Sequence, residues 1–228
     1  MWIKYSKVRV DDNVSESSDN PIIEQKEYSS FIKAGDFILL DLSAGRNFFK
    51  SFFSLEGQIK FWCKSKWTNV AQGIYHYHTN YENLIFETSN VSLADFWIKY
   101  ESDMNIHYRI YRWKDLCHQQ IFGNTSNRIF YELNGSRHSF SELLSFIYRK
   151  IITSLRLPAK SVKNYIYTEE VATSLKKGCE LANKECPNEA FDYVINYYNN
   201  CNDIHIGDIE NILEELKKKG LLIVIGER

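Results

Sequence analysis

Two stretches of the chain carry polar side chains where a strand and a helix start could meet. Residues 65–87 predict a β-hairpin with a polar turn over residues 79–83. Residues 164–175 predict the start of a helix. Packed together, the two stretches would form a site made of a strand and a helix N-terminus. The candidate side chains on the hairpin arm and at the helix start are Trp67, Thr68, Asn69, Tyr167, Thr168 and Glu169.

The chemistry open to these side chains is limited. The Asn69 amide cannot accept a proton at any useful pH, and the Tyr167 phenol, with an ordinary pKa of about 10, is mostly protonated at neutral pH. Thr168 offers a hydroxyl, but no general base is placed for it. His76 and His78 follow Asn69 on the same arm at a distance of roughly 23 Å or more along an extended strand. Neither histidine is therefore expected to serve this site.

Metal and cofactor sites are not predicted. The other histidines are scattered along the chain, and no pair of cysteines has the spacing of a zinc finger. Gly45 and Arg46 lie in a turn without the glycine spacing or the Lys-Ser/Thr of a phosphate-binding loop. We therefore expect no metal and no cofactor.

Composition restricts the class of protein. The chain has 228 residues, of which 44% are hydrophobic, and a net charge of −1, so it is expected to be globular, with little overall attraction to nucleic acid. No stretch approaches the roughly 20 apolar residues of a membrane span, and the first residues are too polar for a signal peptide. The five cysteines, an odd number, indicate reduced thiols in a cytosol-like compartment. A cytoplasmic or virion-packaged protein is expected, not one secreted by a signal peptide.

The domain prediction is an N-terminal extension or edge segment over residues 1–31 and a single domain over residues 32–228. Residues 11–20 are acidic and rich in serine, which is typical of a surface loop and is also compatible with a modification or docking site. Within the domain, the patterns predict strands at residues 37–40, 105–113 and 221–225, and a short turn-rich or helical segment at residues 91–100.

The second half of the chain predicts mainly helices. The predicted helices cover residues 114–122, 139–155, 168–177, 189–198 and 209–219, with Gly178 and Gly220 as caps. Because helices and strands are segregated along the chain, the sequence predicts an α+β fold, with a small antiparallel sheet packed against several helices.

Several motifs taken in order resemble the circularly permuted NlpC-type papain-like hydrolases, a group that includes poxvirus, phage and bacterial lipoprotein-like relatives. The resemblance covers about residues 32–226. The matching segments, in chain order, are Gly35-Asp36 before an apolar strand, Trp67-Thr68-Asn69-Val70, a strand ending in Glu87, a strand ending in Tyr111-Arg112, Tyr167-Thr168-Glu169-Glu170-Val171-Ala172 at a helix start, and Ile206-Gly207-Asp208-Ile209 at a later helix start.

The resemblance implies a permuted papain-like fold and a thiol site. In that family, a Cys at the helix start is the nucleophile, a His on the hairpin strand takes its proton, and a polar residue on the neighbouring strand orients the His. Asn69 stands at the position of the base and Tyr167 at that of the nucleophile, while Glu87 remains at the orienting position. Loss of either the nucleophile or the base removes most of the rate, on the order of 10⁴- to 10⁶-fold.

Two functions follow as hypotheses. The first is a catalytically degenerate papain-like domain with a binding or structural role, such as that of a viral or phage virion or host-interaction protein. Its pocket would be lined by Trp67, Thr68, Asn69, Glu87, Tyr167, Thr168 and Glu169, and a protein partner or an assembly is expected rather than nucleic acid. The second is an active amidase, peptidase or lipid acyl-hydrolase with a shifted site, in which a Cys or Thr lies within hydrogen-bond reach of a His.

Overall fold

The computed structural model describes residues 32–43, 57, 60–61, 63–75, 84–87, 92–96, 100, 103–133, 164–165, 168–201 and 203–228. The strands among them are β1 (Phe37–Asp41), β2 (Asn69–Gly73), β3 (Leu84–Glu87), β4 (Ser92–Asp95), β5 (His107–Trp113), β6 (Asn164–Tyr165), β7 (Asp203–Ile204) and β8 (Leu222–Glu227). The long helices are α1 (Leu116–Leu133), α2 (Glu169–Glu185), α3 (Glu189–Asn200) and α4 (Ile206–Lys218).

Six of the strands form one antiparallel sheet in the order β4-β3-β2-β1-β5-β8. The short strands β6 and β7 pair in parallel as a separate ribbon. The predicted hairpin is confirmed, because β2 and β3 pair antiparallel with Ala71 opposite Glu87. The architecture is α+β, as the segregation of helices and strands predicted.

The central strand β1 separates two cores. All five of its residues are buried, and Phe37 and Leu39 face the helices while Ile38 and Leu40 face the opposite side of the sheet. A continuous apolar run is what such a strand requires, because both of its faces lie away from water. The first core includes Val70, Val171 and Leu175 among its buried residues, and the second includes Ala71, Ile85 and Ile110.

The turn before β1 is held by a buried carboxylate. Asp36 is fully buried, and its two carboxylate oxygens accept hydrogen bonds from Arg112 at 2.9 and 2.6 Å. The Gln119 side-chain amide donates to the same group at 2.9 Å, and the backbone N–H of Lys33 donates to it at 2.8 Å. Gly35 has a φ of +91°, a backbone conformation that favours glycine. The Gly-Asp pair thus joins the turn to β5 and α1.

One predicted helix end is wrong. Gly178 was expected to cap a helix over residues 168–177, but α2 continues through it to Glu185. A Cβ at Gly178 would lie 2.2 Å from Cε1 of Phe122, so this glycine lets α2 approach the buried ring on α1 closely. Tertiary packing therefore overrides the usual preference of glycine for helix ends.

Two other boundaries differ from the sequence prediction. The helix expected at residues 114–122 extends to Leu133. Residues 92–95, expected to be turn-rich or helical, form β4, because they pair with β3 along its whole length. Pairing with a distant strand is not visible in a local pattern. The N-terminal segment 1–31 with its acidic loop, the helix at 139–155 and Tyr167 lie outside the described residues.

Candidate functional site

Asn69 opens β2 and is turned away from α2. It is opposite Leu40 in the sheet, and its side chain shares a face with Ala71, which belongs to the second core. Val70, on the other face, packs in the same core as Val171 and Ala172 of α2. Asn69 is buried, and its side-chain oxygen accepts the backbone N–H of Val70 at 2.9 Å. Its amide therefore serves the strand locally and does not face the packed side of α2.

Thr168 is the residue that precedes α2. Its side chain is fully buried, and its hydroxyl donates a hydrogen bond to the backbone carbonyl of Ile204 at 3.2 Å. The hydroxyl makes no capping hydrogen bond to the helix it precedes. A hydroxyl in this position ties the start of α2 to β7 and is shielded from an external substrate.

Trp67 and Thr68 are fixed by the surrounding fold. The Trp67 indole N–H donates to Oε1 of Glu210 on α4 at 2.9 Å, and the Ser65 hydroxyl donates to Oε2 of the same residue at 2.7 Å. The Thr68 hydroxyl donates to the Leu40 carbonyl and accepts the N–H of Leu42. Both predicted pocket residues are therefore buried structural contacts at the start of the hairpin arm.

The remaining predicted positions are placed only by their backbones. Glu87 ends β3 and lies opposite Ala71 in the register. Glu169 is the first residue of α2, and Tyr167 is outside the described part of the chain. The structure thus places Trp67 and Thr68 side by side before β2, while Asn69 and α2 occupy opposite faces of the sheet.

An ionic cluster that sequence reasoning missed lies beside Trp67. Arg109 on β5 forms ion pairs with Glu214 of α4, at 2.7 Å, and with Glu227 of β8. The Tyr111 hydroxyl donates to Glu214 at 2.6 Å. The Arg109 guanidinium lies 5.8 Å from the centre of the Trp67 ring, within the range of a cation–π contact. The cluster locks α4 and β8 against the centre of the sheet.

The electrostatics of this cluster predict acid sensitivity. The hydrogen bond from Arg109 is the main reason that the pKa of Glu227 is lowered. At Glu214 burial opposes the shift, but hydrogen bonds from Tyr111 and Lys217 and nearby positive charge lower the pKa overall. A carboxylate with a lowered folded pKa contributes stability above its unfolded pKa, and that stability is lost as the pH falls.

We therefore expect the free energy of unfolding to decrease as the pH falls below about 4.5, and Arg109→Gln to remove roughly 1 kcal/mol of that pH dependence. The figure is small because Glu227 is half exposed. Urea unfolding between pH 3 and 7 measures the effect, with Lys219→Gln as the control for loss of one exposed positive charge. Equal pH profiles for the wild type and Arg109→Gln would refute the assignment.

A second missed cluster joins α3 to the start of α4. The Tyr197 hydroxyl donates to Oδ1 of Asp208 at 2.5 Å, and the backbone N–H of His205 donates to Oδ2 at 2.9 Å. Nδ1 of His205 is 3.1 Å from Oδ2 of Asp208. Burial, followed by the hydrogen bonds with Asp208 and Cys201, raises the pKa of Tyr197. The sequence signal for the contact between His205 and Asp208 is a capping-box pattern, in which an Asp follows the N-cap residue by three positions.

The starts of α2 and α4 lie next to each other. Tyr165 pairs with Ile204 in the parallel ribbon, and the Thr168 hydroxyl binds the carbonyl of the same Ile204. Because Glu210 of α4 also holds Trp67, the beginning of α4 links both stretches that the sequence singled out. The link is made by hydrogen bonds.

Cys117 and Cys179 lack the properties of an activated nucleophile. Cys63 and Cys179 are buried, Cys117 and Cys186 are exposed, and Cys201 is half-buried. Burial, aided by the charge of Glu180, raises the pKa of Cys179. Desolvation and the hydrogen bond with Glu185 raise the pKa of Cys117. A catalytic thiol needs the opposite shift, toward the thiolate.

The described part of the chain carries neither a metal cluster nor a membrane-spanning helix. Within it, no group of three or more His, Cys, Asp or Glu side chains has the arrangement of a metal site. No helix among the described residues is long and apolar enough to cross a bilayer. No protein-family model, no curated protein and no solved structure matches the chain.

Proposed function

We propose that the chain is a catalytically degenerate papain-like domain that acts by binding or as a structural component. The observation that carries the proposal is that the polar groups of the candidate site form hydrogen bonds with the backbone. The Asn69 amide oxygen is bound to the backbone of β2, and the Thr168 hydroxyl is bound to the backbone of β7. Both groups hold the fold together, and neither is placed to attack a substrate or to move a proton.

The papain-like part of the proposal rests on the order of the sequence motifs. It is supported by the α+β architecture and by the antiparallel pairing of β2 with β3, which such a hairpin requires. The pocket that the resemblance implies, with Asn69, Glu87, Tyr167 and Glu169 in its lining, is not carried into the proposal, because Asn69 and α2 occupy opposite faces of the sheet. A virion or host-interaction role is proposed by analogy with the phage and viral relatives that the sequence motifs resemble. This analogy concerns the fold and not a functional site.

The non-catalytic part of the proposal is also supported by the thiols. The pKa values of Cys117 and Cys179 are raised, which favours the neutral thiol at both positions. The thiol–thiolate balance of these groups therefore disfavours nucleophilic attack at neutral pH. The second hypothesis, an active amidase, peptidase or lipid acyl-hydrolase with a shifted site, requires a Cys or Thr within hydrogen-bond reach of a His.

A protein partner fits the surface better than nucleic acid does. The net charge is −1, which gives no general attraction to phosphates. Phe61 and Tyr75, before and after the first arm of the hairpin, are 64% and 52% exposed. Exposed aromatic side chains are enriched in protein interfaces. The rigid hairpin arm, held by Glu210 through Trp67, is a suitable support for such a contact.

A turnover assay separates the two hypotheses. The full chain is incubated with amide, peptide and acyl-ester substrates, before and after treatment with an alkylating agent. We expect no turnover above that of the buffer and no acyl adduct by intact-protein mass spectrometry, because Asn69 and Thr168 are engaged in hydrogen bonds within the fold. Turnover that is abolished by alkylation, or by substituting one defined Cys or Thr, would establish the hydrolase instead. The control is a catalytically active thiol hydrolase in the same assay.

A further inference from the structure

The exposed cysteines lie at the meeting point of two helix ends. Cys117 is the second residue of α1, and Cys186 is the C-cap of α2. The Cys117 thiol lies 3.6 Å from Oε2 of Glu185, the residue directly before Cys186. Farther along, Gly178 of α2 contacts the ring of Phe122 on α1. Moving from residue 117 to 122 along α1 corresponds to moving back from residue 185 to 178 along α2. The two helices are therefore antiparallel, and their ends meet at the two thiols.

We propose that Cys117 and Cys186 form a redox-sensitive pair that closes into an intramolecular disulfide and joins the start of α1 to the end of α2. Both thiols are exposed and free, whereas Cys63 and Cys179 are buried. Cys201 lies at the end of α3, where it interacts with Tyr197. The inference is independent of the proposed function, since it uses no residue of the candidate site.

Both cysteines lie at helix ends. A disulfide needs Cα atoms about 4.4–6.8 Å apart and a suitable orientation of the two side chains. Cys186 has left the helix and has an extended conformation, with φ −142° and ψ 90°. Cys117 lies in the first turn of α1, and helix ends adjust more readily than helix interiors. Both cysteines therefore lie where the backbone can adjust to the geometry of the bond.

The oxidant is a low-molecular-weight disulfide such as oxidised glutathione. The thiolate of one cysteine attacks a sulfur of that disulfide, so a mixed disulfide forms and one glutathione thiolate leaves. The second protein thiolate then attacks the protein-bound sulfur, and the second glutathione thiolate leaves. The two protein thiols are oxidised, the glutathione disulfide is reduced to two thiols, and the two protons pass to the released glutathione.

Glu185 is expected to set the rate of closure. Its carboxylate accepts the hydrogen bond of the Cys117 thiol, and its negative charge disfavours the thiolate. Glu185→Gln removes that charge and retains the side-chain shape. The variant should therefore form the disulfide several-fold faster than the wild type at neutral pH, because the reactive species is the thiolate. Glu180→Gln, on the same helix, is the matched control.

The test uses the full chain in buffers of graded oxidised and reduced glutathione. After quenching with acid and alkylation of the remaining thiols, non-reducing peptide mapping by mass spectrometry locates each bond. We expect a cross-link between the peptides that contain Cys117 and Cys186, with loss of two hydrogen atoms, and its reversal by a reducing agent. Cys117→Ser and Cys186→Ser should each abolish it, and Cys201→Ser should not.

Three results would overturn the inference. One is glutathione attached separately to Cys117 and to Cys186, with no cross-link at any redox ratio. Another is a disulfide between two molecules in place of the internal bond. The third is a cross-link from Cys117 to Cys201 that persists in Cys186→Ser. Cys117 and Cys186 are exposed and Cys201 is half-buried at a helix end, so the serine variants are expected to fold, and circular dichroism spectra that match the wild type verify this.

Discussion

Replacing Asp36 with asparagine is expected to lower the free energy of unfolding by about 3–5 kcal/mol. The carboxylate is fully buried and receives hydrogen bonds from Arg112, Gln119 and the backbone N–H of Lys33. Asparagine has nearly the same volume as aspartate but lacks the charge that compensates the Arg112 guanidinium. Its amide N–H₂ would also point at hydrogen-bond donors, to which it cannot bond. A partly buried Arg112 without its counter-ion carries the largest part of the cost.

The measurement is urea or guanidinium unfolding followed by circular dichroism. Asp192→Asn is the matched control, because Asp192 is exposed and accepts one hydrogen bond from Asn183. The control should change the free energy of unfolding by less than about 1 kcal/mol. An Asp36→Asn variant as stable as the control would show that the Gly-Asp turn does not anchor β1 as described.

Replacing Gly178 with alanine is expected to destabilise the protein by about 1–2 kcal/mol, although the same change in an exposed helix gains about 1 kcal/mol. The new Cβ would lie 2.2 Å from Cε1 of Phe122. That ring is fully buried, stacks on Trp113 with 4.0 Å between ring centroids and meets Phe37 edge to face, so it has little room to shift. The steric cost therefore outweighs the gain in helix propensity.

A double-mutant cycle identifies the contact responsible. Phe122→Leu costs stability by itself, but it removes the atoms that the new methyl group would meet. Gly178→Ala should then cost less in the Phe122→Leu background than in the wild type, a coupling that only neighbouring residues show. If Gly178→Ala increases the thermal midpoint, the new methyl group has room beside Phe122 and the close helix–helix contact is incorrect.

The sequence predicts some secondary-structure elements correctly and misses others. β1 was predictable because an apolar run after a Gly-Asp turn has no good alternative to a buried strand. β4 was not, because its pairing with β3 is a tertiary contact. The end of α2 was misplaced because Gly178 has a packing role, and the same residue type also ends helices.

The candidate site was less predictable than the fold. The sequence pointed to Trp67 and Thr168, and the structure places both in contact with α4 or the residues just before it. It could not indicate that Asn69 and α2 lie on opposite faces of the sheet, because the face depends on the register with β1. Nor could it pair Arg109 with Glu214, which are 105 residues apart.

Site-resolved alkylation of the native protein tests the central claim, that the chain has no activated nucleophilic thiol. The full chain is treated with iodoacetamide at neutral pH, and peptide mass spectrometry follows each of the five cysteines over time. We predict that Cys117, Cys186 and Cys201 react no faster than free cysteine, and that buried Cys63 and Cys179 react more slowly. One cysteine that reacts at least tenfold faster than free cysteine, and loses that reactivity on unfolding, would contradict the account.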